Sequence, residues 1–183
     1  LENRAKFPLM CLKKIREAAG RDMIVEILFS GEEPEGGYTM DEGVEFLKMA
    51  EPYVDIVQVR SAEGDPNHPI PFELRHTPFL ELAAEIKKHV KTPVVTVGAF
   101  SEPDKMEAFL EESGVDCIAM GRALIADPFL PRKIMRGKVA DITPCLRCGE
   151  CQSGMMRNKT MRCAVNPYIG RETEYFHPIP TRE

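Results

Sequence analysis

The sequence predicts an α/β fold in which about four βα units stand side by side in a parallel sheet. Short runs of almost continuous apolar residues alternate along the chain with amphipathic stretches of helical period. Strands that are apolar throughout are typical of a parallel sheet covered on both faces, and repeated βα units imply right-handed crossovers. The pattern leaves two architectures open, a doubly wound sheet and part of a (β/α)₈ barrel.

The first half of the chain contains two predicted strands and two predicted helices. Residues 1–20, LENRAKFPLMCLKKIREAAG, predict a helix ahead of the first strand, which is MIVEILF at 23–29. The stretch 40–53 places apolar residues at helical spacing and predicts the next helix. The run VDIVQV at 54–59 predicts the second strand because it is short and mainly apolar.

Two further βα units follow. The stretch 101–114 predicts a helix because it begins with a Ser cap at Ser101 and a Pro in its first turn, and ends at Gly114. The remaining predicted elements are an amphipathic helix at 79–90, a strand at 92–100 that ends near Val97, a strand at 115–120, and short helical pieces at 124–137.

The regular alternation stops near Val139, and a tail rich in Cys, Arg, Gly and Pro follows. If the architecture is a barrel, four strands make up half of one, because a complete (β/α)₈ barrel takes about 250 residues. In that case residues 1–138 form a half barrel, and residues 139–183 form an irregular cysteine-rich tail. Because the chain begins at Leu1 within a polar stretch, we expect it to be a piece of a larger protein.

The composition excludes several classes of partner. A net charge of −5 over 183 residues argues against a nucleic-acid partner, which favours a basic surface. No apolar run approaches the ~20 residues needed to span a bilayer, and no signal peptide is visible. We therefore expect a cytoplasmic protein without a nucleic-acid or membrane partner.

Glycines follow two of the predicted strands at their carboxyl ends. Gly98 comes after the third strand and Gly121 after the fourth, each just before a predicted helix. Glycine lets backbone N–H groups approach an anion closely, and loops after the last strands of a barrel commonly bind phosphate. Arg122 adds a guanidinium suited to phosphate. The pair of glycines with Arg122 predicts a phosphate site, although each glycine alone also fits a tight turn.

Four cysteines share one short segment in a C-x₂-C-x₂-C-x₁₁-C pattern, namely Cys145, Cys148, Cys151 and Cys163. Three bunched thiols with a fourth on a returning segment favour an iron–sulfur cluster. A zinc site and disulfides remain the alternatives. Cys11 and Cys117 lie in apolar segments, and we expect both to be buried structural thiols.

Four stretches resemble flavin oxidoreductases related to Old Yellow Enzyme: LENRAKF, PVVTVGAF with SEPDKMEAFLEESGVDCIAMGRALIADP, CLRCGEC, and CAVNP. The resemblance is to the iron–sulfur branch, with 2,4-dienoyl-CoA reductase, 2-enoate reductase and trimethylamine dehydrogenase. It implies that this chain is the C-terminal half of an FMN-binding (β/α)₈ barrel plus a [4Fe–4S] loop. FAD and NAD(P)H sites would lie in a further C-terminal half that the chain does not include.

The resemblance also implies roles for individual residues. It assigns contacts with the FMN phosphate to Gly98 and Ala99 after one strand, and to Gly121 and Arg122 after the next. The four clustered cysteines become the implied ligands of the iron–sulfur cluster.

Some positions depart from the family pattern or fall short of it. Leu28 stands where many members carry an Arg near the flavin, which leaves Arg60, at the end of the next strand, as a candidate substitute. The family's GGI is GAF at 98–100. The proton donor is expected largely outside this chain. His68 is the one candidate here, with a solvated loop residue as the alternative.

The resemblance implies a hydride transfer from NAD(P)H through FMN to the activated C=C bond of a small unsaturated substrate. Oxidative demethylation of an amine is an alternative within the family. A zinc-stabilised scaffold without activity and a flavin-free, phosphate-binding isomerase are alternatives outside it. Open sheet edges in a half barrel predict a partner, either a second copy or the remainder of the same polypeptide, and an inactive isolated piece.

Overall fold

The computed structural model describes residues 1–31, 33, 36–60, 79–98, 100–157 and 160–175. These residues divide into two compact units, one that reaches to Ala119 and one that begins at Met120. The predicted start of the cysteine-rich tail at Val139 is a separate division and stays a prediction. No helix in the described part of the chain is long and apolar enough to cross a membrane.

The first unit contains a four-stranded sheet, and every pairing in it is parallel. The strand order is β1-β2-β3-β4, so neighbours in the sheet are also consecutive in the chain, as in a (β/α)₈ barrel. The predicted α/β class with four βα units is confirmed. The elements are α1 (Glu2–Ala19), β1 (Glu26–Ser30), α2 (Met40–Ala50), β2 (Ile56–Arg60), α3 (Leu80–Lys87), β3 (Val94–Val97), α4 (Pro103–Ser113) and β4 (Cys117–Ala119).

One face of this sheet forms the core of the first unit. Val57, Val59 and Thr96 on that face are at most 1% exposed, and Leu47 of α2 and Ile86 of α3 are buried to the same degree. Side chains alternate between the two faces of a strand, so the residues next to these buried ones along each strand point to the opposite face. The strand register places four residues in one row across that opposite face: Leu28, Gln58, Val95 and Cys117.

An aspartate placed just before a strand ties that strand to its neighbour, and the arrangement occurs twice. Asp55, before β2, accepts a hydrogen bond from the N–H of Val25 at 2.8 Å and pairs with the buried Arg16 of α1. Asp116, before β4, accepts from the N–H of Val94 at 2.8 Å and pairs with Lys87 at 2.7 Å. The repeated Val-Asp dipeptide therefore marks repeated βα units.

Two expectations about this unit are wrong. Cys11 and Cys117 are exposed rather than buried: the first lies away from the buried stripe of α1, and the second lies in β4, at the edge of the sheet. Ser101 does not cap α4, which begins at Pro103 with Glu102 as N-cap and without a side-chain cap bond. Local spacing does not reveal which side of an element the neighbouring elements cover.

The second unit consists of short helices and irregular segments. The predicted helical pieces at 124–137 correspond to two helices, which confirms that part of the prediction. The elements of this unit are α5 (Arg122–Ala126), α6 (Leu130–Met135), a 3₁₀ turn (Val139–Asp141), α7 (Glu150–Met156) and α8 (Glu172–Tyr175).

Candidate functional site

The two glycines that follow β3 and β4 differ in their backbone requirements. Gly98 has a φ of 146°, in the region that glycine alone adopts at low cost. Gly121 has a φ of −97°, which other residues adopt freely, and an added Cβ there would meet no atom within 4 Å. The backbone conformation therefore favours glycine at position 98, whereas neither conformation nor crowding by described residues requires glycine at position 121. Ala99 lies outside the described residues.

Arg122 is the first residue of α5 and is half-buried. The carbonyl oxygen of Gly121 accepts hydrogen bonds from the N–H groups of Leu124 and Ile125, at 3.0 and 3.1 Å. These bonds begin the helix directly after Gly121, so Arg122 and the open backbone of Gly121 lie side by side in the second unit.

All four clustered cysteines line one small cavity. Arg122, Ile125 and Arg147 line the same cavity. None of the cysteines is in a disulfide. Their exposure differs: Cys151 is buried, Cys148 is exposed, and Cys145 and Cys163 are half-buried.

The backbone between the first cysteines turns tightly. Arg147 has a φ of 55° and Gly149 a φ of 74°, both in the left-handed region. The N–H of Arg147 donates a hydrogen bond to Sγ of Cys145 at 3.4 Å, and such N–H···S bonds stabilise thiolates that bind metal. Among the described residues, no three His, Cys, Asp or Glu side chains stand close enough together to hold a single metal ion.

Asp127 ties the segment before Cys145 to the end of α5. Its carboxylate is 3% exposed and accepts hydrogen bonds from Phe129 N–H at 3.1 Å, Thr143 N–H at 2.9 Å and the Lys133 ammonium at 2.6 Å. Burial acts to raise the pKa of Asp127, but Lys133 and these N–H groups outweigh it and lower the pKa.

Asn166 ties the segment after Cys163 to α5. This side chain is buried, donates from Nδ2 to the Ile125 carbonyl at 2.8 Å, and accepts at Oδ1 from the N–H of Tyr168 at 3.0 Å. Both arms of the cysteine segment are therefore hydrogen-bonded to α5 or its last turn. The helix α5, which begins with Arg122, therefore forms one side of the cavity through Arg122 and Ile125.

The sequence profile of the NADH:flavin oxidoreductase / NADH oxidase family matches residues 1–141. The chain belongs to this family. It is 39% identical over 180 residues to an NADH oxidase of Thermoanaerobacter brockii, covering 95% of this chain and 28% of the relative. A cinnamate reductase of Clostridium sporogenes is 31% identical, covering 96% of this chain and 29% of the relative.

The family membership extends to solved structures. The histamine dehydrogenase of Rhizobium sp. 4-9 superposes with a TM-score of 0.83 at 31% identity, covering 94% of this chain and 25% of that one. The chain thus spans between a quarter and three tenths of the length of these relatives.

Other residues of this oxidoreductase chain that the sequence singled out lie in the first unit. Leu28 is 54% exposed, and Arg60 is exposed at the carboxyl end of β2, opposite Ser30 in the register. Both belong to the sheet face that does not form the core. His68 lies outside the described residues, so its role stays a prediction.

Sequence reasoning missed Asp127 and Asn166. Each stands directly before a proline, in ADP and NP, and Asx-Pro is a turn signal. That signal could have predicted turns at both places. It could not have predicted that Asn166 bonds to Ile125 of α5, or that Asp127, at the end of α5, bonds to Thr143, because these contacts join segments distant in sequence.

Proposed function

We propose that this chain supplies the flavin-phosphate site and the iron–sulfur site of an NAD(P)H-dependent reductase of activated C=C bonds. The observation that carries the proposal is one cavity lined by four free cysteines in a chain of the NADH:flavin oxidoreductase family. Four thiolates are the ligand set of a [4Fe–4S] cluster. The name of the related cinnamate reductase supports an unsaturated acid or thioester as substrate.

The spacing of the cysteines favours a cluster over zinc. Three of the thiols are bunched and the fourth lies on a returning segment, whereas a structural zinc site usually takes its four thiolates from two separated pairs of cysteines. In the structure all four cysteines line one cavity. Arg122 and Arg147 supply positive charge beside the thiolates.

The phosphate contacts stay those that the strand-end residues and the family resemblance indicate. Gly98 after β3 has a backbone conformation that favours glycine, and an added Cβ at Gly121 after β4 would meet no atom within 4 Å. We infer that Gly98, Ala99, Gly121 and Arg122 would hold the phosphate of FMN. FAD and NAD(P)H would bind parts of the longer polypeptide beyond this chain.

Bound FMN would supply hydride chemistry and a bound cluster single-electron transfer. The residues of this chain bind and orient these groups. The exposed Leu28, in the middle of β1, and the exposed Arg60, at the carboxyl end of β2, give the sheet face opposite the core an apolar and a cationic element; barrels bind their substrates at the carboxyl ends of their strands. None of the described residues is assigned as the proton donor, and His68 stays the candidate in this chain.

The test is a cofactor analysis of the full-length protein purified without oxygen. We expect one FMN per chain, iron with acid-labile sulfide, and a broad brown absorbance beside the flavin bands. Cys145→Ser should lose most of the iron and the brown band. Cys11→Ser, which changes an exposed thiol far from the cysteine segment in sequence, should keep both. Stoichiometric zinc without sulfide would contradict the cluster assignment and support a zinc-stabilised scaffold.

Amine oxidation is the second candidate, and the similarity to histamine dehydrogenase favours it. The two reactions transfer electrons in opposite directions at the flavin. Anaerobic addition of histamine should bleach the oxidised flavin of an amine dehydrogenase. Cinnamate should reoxidise the reduced flavin of an enoate reductase. We expect the second result.

We also propose a partner for the first unit. Strands β1 and β4 are the two ends of the described sheet. A parallel sheet with two open edges leaves backbone N–H and C=O groups available for pairing. The expected partner is the remainder of the same polypeptide or a second copy of the chain, and the chain alone is expected to be inactive.

A further inference from the structure

We propose that Arg122 sets the reduction potential of the cluster held by the four cysteines, in addition to its proposed contact with the flavin phosphate. The inference rests on the proposed iron–sulfur site. It starts from the position of Arg122, which lines the cysteine cavity itself rather than only the strand end where the sequence placed its role.

The structure holds this arginine in place through α5. Asn166 bonds to the carbonyl of Ile125 at 2.8 Å, and Asp127 accepts from the N–H of Thr143 at 2.9 Å. Both residues that make these bonds are buried. One bond comes from the segment after Cys163 and the other from the segment before Cys145, so the segments on both sides of the cysteines are hydrogen-bonded to the helix that begins with Arg122 or to the residue that ends it.

The charge of Arg122 then acts on the redox step. One-electron reduction adds negative charge to a centre already surrounded by thiolates. A guanidinium stays protonated at every relevant pH, and a half-buried one is less screened by salt and water than an exposed one. Arg122 therefore favours the reduced state and raises the potential, because net charge near a cluster is one of the factors that tune it.

Arg162 provides a matched comparison. It is adjacent to Cys163 in sequence and carries the same charge, but it is exposed and lines a different cavity, which Cys163 also borders, with Thr160, Asn166 and Glu174. The cysteine cavity does not include it. If burial and position matter, as the inference holds, Arg162 affects the potential much less than Arg122.

The experiment is a redox titration of the cluster, followed by electron paramagnetic resonance, in the full-length protein stripped of flavin. Removing the flavin from every sample separates the cluster from the phosphate contact of Arg122. We expect Arg122→Gln to lower the potential by at least a tenfold change in the ratio of reduced to oxidised cluster, about 59 mV for one electron. Arg122→Lys should restore most of it, and Arg162→Gln should leave it near the wild-type value.

A double variant tests the positioning role of Asn166. In an Asn166→Ala background, Arg122→Gln should shift the potential less than it does in the wild type, because the helix is no longer tied to the segment after Cys163. Equal shifts in both backgrounds would show that this tie does not position Arg122.

The remaining outcomes are decisive. An unchanged potential in Arg122→Gln, or an equal shift in Arg162→Gln, overturns the inference. If Arg122→Gln assembles no cluster, Arg122→Lys decides: restored iron and potential support the charge, and continued loss overturns it. A wild-type protein without iron and sulfide overturns the proposed function as well, so the two failures are distinguishable.

Discussion

Removing the carboxylate of Asp127 should release the segment before Cys145. Three donors meet at this carboxylate, and the Lys133 ammonium is one of them, at 2.6 Å. Removing one partner of a buried pair costs about 3–5 kcal/mol. Because the Lys133 side chain is 25% exposed, we expect Asp127→Ala to cost about 3 kcal/mol, near the lower end.

The assay is amide hydrogen exchange in a peptide that contains Thr143. A local loss of about 3 kcal/mol predicts exchange roughly 100-fold faster at the Thr143 amide, since about 1.4 kcal/mol is tenfold. Asp141→Asn is the matched control, because Asp141 is an exposed carboxylate two residues away. Unchanged exchange in Asp127→Ala, or equal acceleration in Asp141→Asn, would show that the hydrogen bonds of Asp127 do not hold this segment.

Three further predictions follow from the described residues. Arg122→Ala should weaken FMN binding roughly 10- to 150-fold, since a charge-assisted hydrogen bond contributes about 1.5–3 kcal/mol. Equilibrium dialysis of the full-length protein measures it, and unchanged affinity would contradict the phosphate contact. Gly98→Ala should cost about 1–3 kcal/mol in a urea titration because its φ of 146° strains any side chain, whereas Gly121→Ala should cost much less. The stability that Asp127 contributes should be present above its unfolded pKa of about 3.9 and be lost as pH falls through the lower folded pKa. Wild type and Asp127→Asn should therefore differ in unfolding free energy at pH 7, begin to converge as pH falls below about 4, and converge fully below the lowered folded pKa. A difference independent of pH would be evidence against the charge.

The sequence was sufficient for the order of elements but not for their surroundings. Four apolar runs predicted four parallel strands, because apolar runs report burial within the sheet. The same reasoning placed Cys117 in the core, although β4 is the last strand of the described sheet and its cysteine is exposed. Which side of a strand is covered depends on elements distant in sequence, and spacing within the strand does not encode them.

In the candidate site, too, the sequence predicted part of the arrangement and not the contacts around it. Cysteine spacing predicted that the four thiols can converge on one centre, and in the structure they line one cavity. Their role as cluster ligands stays a prediction. The bonds of Asp127 and Asn166 were not predictable, since each joins segments that only the folded chain brings together. The role of Arg122 was predicted from its strand end alone, and its place in the cysteine cavity became visible only in the structure.

The charge distribution along the chain explains why one arginine can matter for two anionic groups. Residues 1–119 carry 13 Lys and Arg against 23 Asp and Glu, whereas residues 120–183 carry 11 against 6. The net charge of −5 therefore conceals an acidic first unit and a basic second unit. A thiolate cluster and a phosphate both need cations. Exposed arginines of the basic segment are screened by water, whereas Arg122 and Arg147 are half-buried and both line the cysteine cavity. Of these two, Arg122 is the one that also follows the strand end predicted to bind phosphate, so its charge is the one that can act on both groups.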